Sequence, residues 1–318
     1  MPDLKRGRGL PAILRAREDR AAGRYRWTMQ AGIVAGVCVV GGLVAHLLVE
    51  GHDLHVDRQT LLAKQRAVEA TLGVQWSPLR DRLEGDIVEA AKEFPGDHVD
   101  AEARKGEFRT QPGLYLRLRV VDAHDVASIR RMAADAKKDA FAGCLLREPN
   151  ERGLRGEIDG GAFAEQPWNL GQAYAATFIL TDDWTQSVKD ADDDLRMRVL
   201  KAQYEKMVRD DIPLSIEIVK RAAFFLLALD EDSPDAVPFA DGGRTAEESL
   251  QLVAHPTRVL LFTLPDNKLI LSLRRSGDAR VIPAGERIVT DPEVRDAMQR
   301  QANNCALARA VETALHLP

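Results

Sequence analysis

The 318-residue sequence predicts an α+β fold: a single N-terminal transmembrane helix, a helical neck, then a mostly antiparallel sheet with helices covering one face. Three observations carry that prediction. About 23 residues from Trp27 to Val49 hold no charge, enough at ~1.5 Å rise each to cross a hydrocarbon core of roughly 30 Å. Apolar and polar residues alternate through Leu114–Val121, and two apolar runs flank the turn residues Pro265, Asp266 and Asn267. Between these strand signals lie stretches with apolar residues at helical spacing.

Residues 1–26 form a basic tail. Lys5, Arg6, Arg8, Arg15, Arg17, Arg20, Arg24 and Arg26 stand against Asp3, Glu18 and Asp19, a net charge of +5, in a chain whose total is −5. The rest of the chain therefore sums to −10, so basic charge is concentrated before the span, which predicts a cytoplasmic N-terminus and an extracytoplasmic C-terminal domain. Tyr25 and Trp27 mark the inner edge, where amphipathic rings prefer the headgroup level. A cleaved signal peptide fits less well. Its apolar region is shorter, and Leu43, Val44, Ala45 and His46 make a poor cleavage site. Residues 27–49 thus read as a retained anchor in the inner membrane. Within it Gly32 and Gly36 form a G-x-x-x-G pair, a spacing that permits a homodimer through the membrane helix.

Residues 50–96 read as the neck. Leu54, Leu61 and Val68 recur every seven residues, but the partner heptad positions are polar, so a helical stalk over 53–73 is expected without a coiled-coil seam. Gly73 and the Trp76-Ser77-Pro78 run should end it, with Ser77 capping a second helix. That helix places Leu79, Leu83, Ile87, Ala90 and Ala91 on one stripe and stops at Pro95-Gly96.

Residues 97–318 form the extracytoplasmic domain. In its first strand Leu114, Leu116, Leu118 and Val120 face a core, and Tyr115, Arg117 and Arg119 face water. Asp125 caps a helix carrying Val126, Ile129, Ala133, Ala136, Ala140 and Phe141. The polar, glycine-rich stretch 147–167 is a functional flap or a plain loop. The longest helix is expected over Asp182–Asp211, on a stripe of Trp184, Val188, Ala191, Leu195, Val199 and Ala202, with Pro213 kinking or ending it. Residues 214–222 are ambiguous, Phe224–Leu229 is a buried strand, and Thr245 with Glu248 makes a capping box. Val259–Leu264 and Leu269–Leu273 form a hairpin, Arg280–Ile282 could extend it, and Asp291-Pro292 open a final helix whose stripe is Val294, Met298, Cys305, Leu307, Val311 and Leu315.

Chemistry is mostly excluded. No P-loop, H-E-x-x-H, G-x-S-x-G, S-x-x-K or C-x-x-C motif occurs, and nothing implies a cofactor or a metal. The acidic run Asp190, Asp192, Asp193, Asp194 lacks an EF-hand's turn glycine and reads as a solvated helix face, and His52 with His55 has no further clustered ligand. His124, Glu157 and Asp159 are the only weak catalytic candidates, against the plainer roles of a cap neighbour and a solvated loop. Trp168 and Trp184 could line a pocket, though rings of that size more often fill a core. Cys144 and Cys305, both extracytoplasmic on this topology, either pair as a disulfide or sit apart as small buried apolar residues, and the compartment favours pairing. The short basic tail is explained by topology, so no nucleic-acid partner is expected. The expectation by elimination is an extracytoplasmic binding or interaction domain with the lipid bilayer, an envelope protein or a small ligand as its partners. The alternative is an anchored hydrolase built on His124, Glu157 and Asp159.

Overall fold

The computed structural model describes residues 54–146, 167–236, 245–279 and 291–316. The anchor 27–49 with Gly32, Gly36 and His52, the stretch 147–166 with Glu157 and Asp159, and the expected strand at 280–282 lie outside those residues. No helix among the described residues is long and apolar enough to cross a membrane.

The architecture is mixed α+β. Six strands, β1 (His98–Val99), β2 (Gly113–Arg119), β3 (Trp168–Asn169), β4 (Phe224–Asp230), β5 (Pro256–Thr263) and β6 (Lys268–Ser276), form one sheet in the order β1-β6-β5-β4-β2-β3. Three pairings are antiparallel, while β2 runs parallel to both β4 and β3. The hairpin forms as expected, and Asn267 adopts the positive φ of 50° that its turn requires.

Helices cover both faces of this sheet, not one. Leu114, Leu116 and Leu118 join Phe225, Leu227 and Leu260 in a core on the first face. Tyr115, Leu226, Val259, Leu261 and Leu273 belong to a second core on the opposite face, with Phe141, Leu307 and Val311 packed against them. The expected wet face of β2 is therefore inside: Tyr115 is fully buried and Arg117 nearly so. Parallel strands need crossover segments, and those segments cover whichever face they cross.

The expected break between stalk and neck is absent. Helix α1 runs through residues 54–68, a π-helical segment Glu69–Gly73 and Val74–Lys92, with Ser77 and Pro78 inside it. The Val74 N–H reaches the Glu69 carbonyl, five residues back. The same device recurs at Met207–Asp211, just before Pro213. A proline removes one N–H and its ring crowds the carbonyl four residues back; a wider turn upstream lets the helix continue past it. Leu61, Val68 and Trp76 lie in the first core, so this helix packs along the body.

Two other long helices divide. Asp125 caps α3 (Val126–Asp135) as expected, but the chain leaves the helix at Ala136 and begins α4 (Ala140–Leu146) on the other face. Asp182–Asp211 splits into α6 (Asp182–Lys189) and α7 (Asp194–Lys206), after α5 (Gly171–Thr177), and the π segment leads on into α8 (Ile212–Arg221). Asp193 caps α7 through its bond from Arg196 N, which resets the helical phase. Met197, Leu200 and Tyr204 then face inward, and Leu195 and Val199 are left 71% and 59% exposed. The acidic run is thus a helix junction rather than one helix face. Thr245 forms its capping box on α9 (Ala246–Leu250), and Asp291 caps α10 (Pro292–Leu315), whose Val294 and Met298 are exposed while Leu307, Val311 and Leu315 are buried. The short α2 (Ala101–Arg104) completes the second face.

Candidate functional site

Arg117 is where local sequence and tertiary structure meet most tightly. Strand alternation turns its side chain away from Leu116 and Leu118 into the second face, where α4 and α10 bury it to 1% exposure. A guanidinium so placed must be paired, because an isolated buried charge is prohibitively unfavourable. Asp230, at the end of the neighbouring strand, supplies the fork: Nε donates to Oδ2 at 2.7 Å and Nη2 to Oδ1 at 2.9 Å. Nη1 donates to Asp139 Oδ2 at 2.6 Å and to Asn304 Oδ1 at 2.7 Å. Asp139 also accepts from the Tyr115 hydroxyl and from Phe141 N, and Asp230 accepts from Thr257 at 2.8 Å. His255 presents Nε2 to Asp230 Oδ1 at 3.0 Å and Nδ1 to the Val253 carbonyl at 2.9 Å.

Electrostatics follow from this packing. Burial by itself would raise the Asp230 carboxyl, but Arg117 and His255 overturn that and hold it well below the usual carboxylate range. Burial likewise opposes the Arg117 charge, and Asp230 and Asp139 outweigh it, so the guanidinium is held more firmly charged than usual. Burial and the Asp139 charge push the Tyr115 hydroxyl up. The buried charges of this network are thus satisfied by one another.

Above it opens a cleft of about 430 Å³, lined among others by Asp139, Glu247, Gln251 and Asn304, with Arg119, Asp122, Lys137 and Arg300. It lies outside the carboxyl ends of β2 and β4, which are parallel neighbours; ligands of open sheets with parallel strands settle in that position. Glu247 is the exceptional group in it. Burial, then the nearby Asp230 carboxylate, raise its pKa to about 7, and the hydrogen bond it accepts from Gln251 Nε2 is long, 3.5 Å. A larger and more open groove of about 760 Å³ lies between α1 and α3, but its buried Glu84 is already clasped by Arg130 through two bonds of 2.8 Å.

Those residues singled out by sequence that are described do not gather at the cleft. His124 is exposed in the turn before α3 and is not among the lining residues, while Glu157 and Asp159 lie outside the described residues. His55 bonds Gln59 at 2.9 Å, and among the described residues no group of three or more potential ligands could hold a metal. Trp168 and Trp184 both fill the first core, and Trp184 stacks on Tyr204 with centroids 5.9 Å apart. Cys144 and Cys305 are joined, with Cα atoms 5.3 Å apart, tying α4 to α10 beside the cleft.

Sequence reasoning missed Arg117, Asp230 and Glu247. One signal was present for the first two: each is a charge continuous with an apolar run, Leu-Tyr-Leu-Arg-Leu and Phe-Phe-Leu-Leu-Ala-Leu-Asp, the pattern of strands buried on both faces. Glu247 carried none beyond its place in a capping-box helix. No family model, no curated protein and no solved structure matches the chain.

Proposed function

We propose that this is a single-pass membrane-anchored protein whose α+β domain lies outside the cytoplasm and binds a small polar ligand in the cleft above Arg117. The observation that carries the binding reading is the cleft itself: a cavity at the carboxyl ends of parallel strands, over a charge network whose members satisfy one another. A site with so fixed a floor is suited to holding a ligand in one orientation. The anchor and the side of the membrane rest on the uncharged run 27–49 and the basic tail before it.

A hydrolase reading retains one supporting observation, the Glu247 carboxyl with a pKa of about 7, suited to moving a proton near neutrality. Against it, no serine, cysteine or histidine is among the residues lining the cleft, and the hydroxyl of its Thr245 is held in the capping box.

Two measurements test the proposal. On intact spheroplasts, a membrane-impermeant thiol reagent should label Cys144 and Cys305 only after mild reduction; labelling that requires lysis would reverse the topology. For binding, Ala297→Trp fills the cleft from an exposed position, so compounds that raise the melting temperature of the wild type should leave this variant unmoved. Equal stabilisation of both proteins would remove the cleft as the site.

A further inference from the structure

We infer that the ligand of this cleft carries a protonated amine, received by Glu247. The inference deepens the binding reading and rests on it. The charged groups beneath the cleft are paired among themselves, and Glu247 stands outside that pairing. Arg117 faces Asp230 and Asp139 and spends four of its five donors on them and on Asn304. Asp139 has three donors of its own, from Arg117, Tyr115 and Phe141. Glu247 adds a third carboxyl to the same neighbourhood, and it accepts a bond from the amide of Gln251, one turn along, at 3.5 Å. Glu248, beside it, is committed to the backbone of Thr245.

No lysine or arginine among the described residues makes an ion-pair contact with the Glu247 carboxyl, and the cleft leaves room for a cation. Its volume of about 430 Å³ suits a small molecule, and an ammonium there could reach the Glu247 carboxyl. In a partly desolvated site such a charge-assisted bond is stronger than in water. A metal cation is the poorer occupant, because no group of three or more ligating side chains gathers among the described residues. Arg119, Lys137, Lys138 and Arg300 line the cleft too, so an acid group at a ligand's far end could be received there while Glu247 takes the amine. The amine would turn Glu247 from a largely neutral acid into its carboxylate, so binding near neutral pH should release a proton.

The test uses the full chain in detergent micelles and a library of small primary amines, each with its matched alcohol and matched carboxylic acid, at millimolar concentration. Amines should bind saturably at pH 6.5, with calorimetric heats that differ between buffers of different ionisation enthalpy and report up to one proton released per ligand. Glu247→Gln should weaken binding at least tenfold while leaving the circular dichroism spectrum unchanged, and should abolish the proton release. Failure of every amine, or equal affinity and proton release in the variant, overturns the inference. If alcohols or acids bind instead and Ala297→Trp blocks them, the cleft remains the site and only the amine is wrong. If no compound of any class binds in a way that Ala297→Trp abolishes, the binding reading falls with it.

Discussion

Arg117 and Glu247 make opposite demands on the protein. Replacing Arg117 by methionine keeps bulk but leaves Asp230, fully buried, without its fork, and breaking a buried pair this way costs about 3–5 kcal/mol. Urea denaturation should show that loss, and Arg117→Lys should recover little of it, because an ammonium cannot reproduce two parallel bonds. Asp230, depressed in the fold, contributes stability that is complete above the ordinary carboxylate range and drains only as pH falls through it toward the folded value. Glu247 has the reverse sign. Its pKa rises from 4.5 to about 7, so its contribution is whole below pH 4.5, declines as pH climbs to about 7 and stays lost above that. The stability difference between wild type and Glu247→Gln should therefore shift by about 3 kcal/mol across that window and be flat beyond it. A difference that does not vary with pH would mean that Glu247 titrates as an ordinary surface acid.

Among the elements, close approach and crosslinking decide how the layers hold. Asn169 donates to the Ala136 carbonyl at 2.8 Å and accepts from Gly171 N at 3.0 Å, stitching the start of α5 to the end of α3. A Cβ on Gly171 would lie 2.5 Å from the Ala133 carbonyl and 2.9 Å from that of Ala136, so no flexible side chain can yield. Gly171→Ala should lower stability by about 1–3 kcal/mol, the usual range for overpacking. On the other face the Cys144–Cys305 bridge closes a separation of 161 residues, for which chain entropy gives about 3–5 kcal/mol. The double serine variant should lose that much, and reductant should destabilise the wild type but not the variant. By contrast Leu195→Gln and Val199→Gln, on the outward side of α7, should each change stability by no more than about 0.5 kcal/mol. A larger loss on concentration-dependent unfolding would show that a second molecule covers them.

At the scale of the whole molecule, a chain beginning at Leu54 should leave the membrane fraction and keep the melting behaviour of the domain, whereas the full chain should stay with the bilayer. Retention of the shortened chain would shift anchoring to the folded domain. What the amino-acid order determined by itself is mostly local: the caps at Asp125, Thr245 and Asp291, the Asn267 turn, β2 from its alternation and β4 from its apolar run as strands, and with them the α+β class. Each rests on residues within a few positions of one another, where backbone hydrogen bonding and turn sterics leave little choice. Helix continuity was less legible, since a π turn carries the chain past Pro78, and the Asp193 cap turns Leu195 and Val199 outward from a stripe that read as buried. The site was legible only as two charges continuous with apolar runs, Arg117 and Asp230, and its assembly not at all. Arg117, Asp139, Asp230, His255 and Asn304 are separated by up to 187 residues, and only the parallel pairing of β2 with β4 and the helices folded over the second face bring them together. Tertiary structure alone decided that both faces of β2 are covered, because alternation shows that a strand has two faces but not how many of them the rest of the chain will cover.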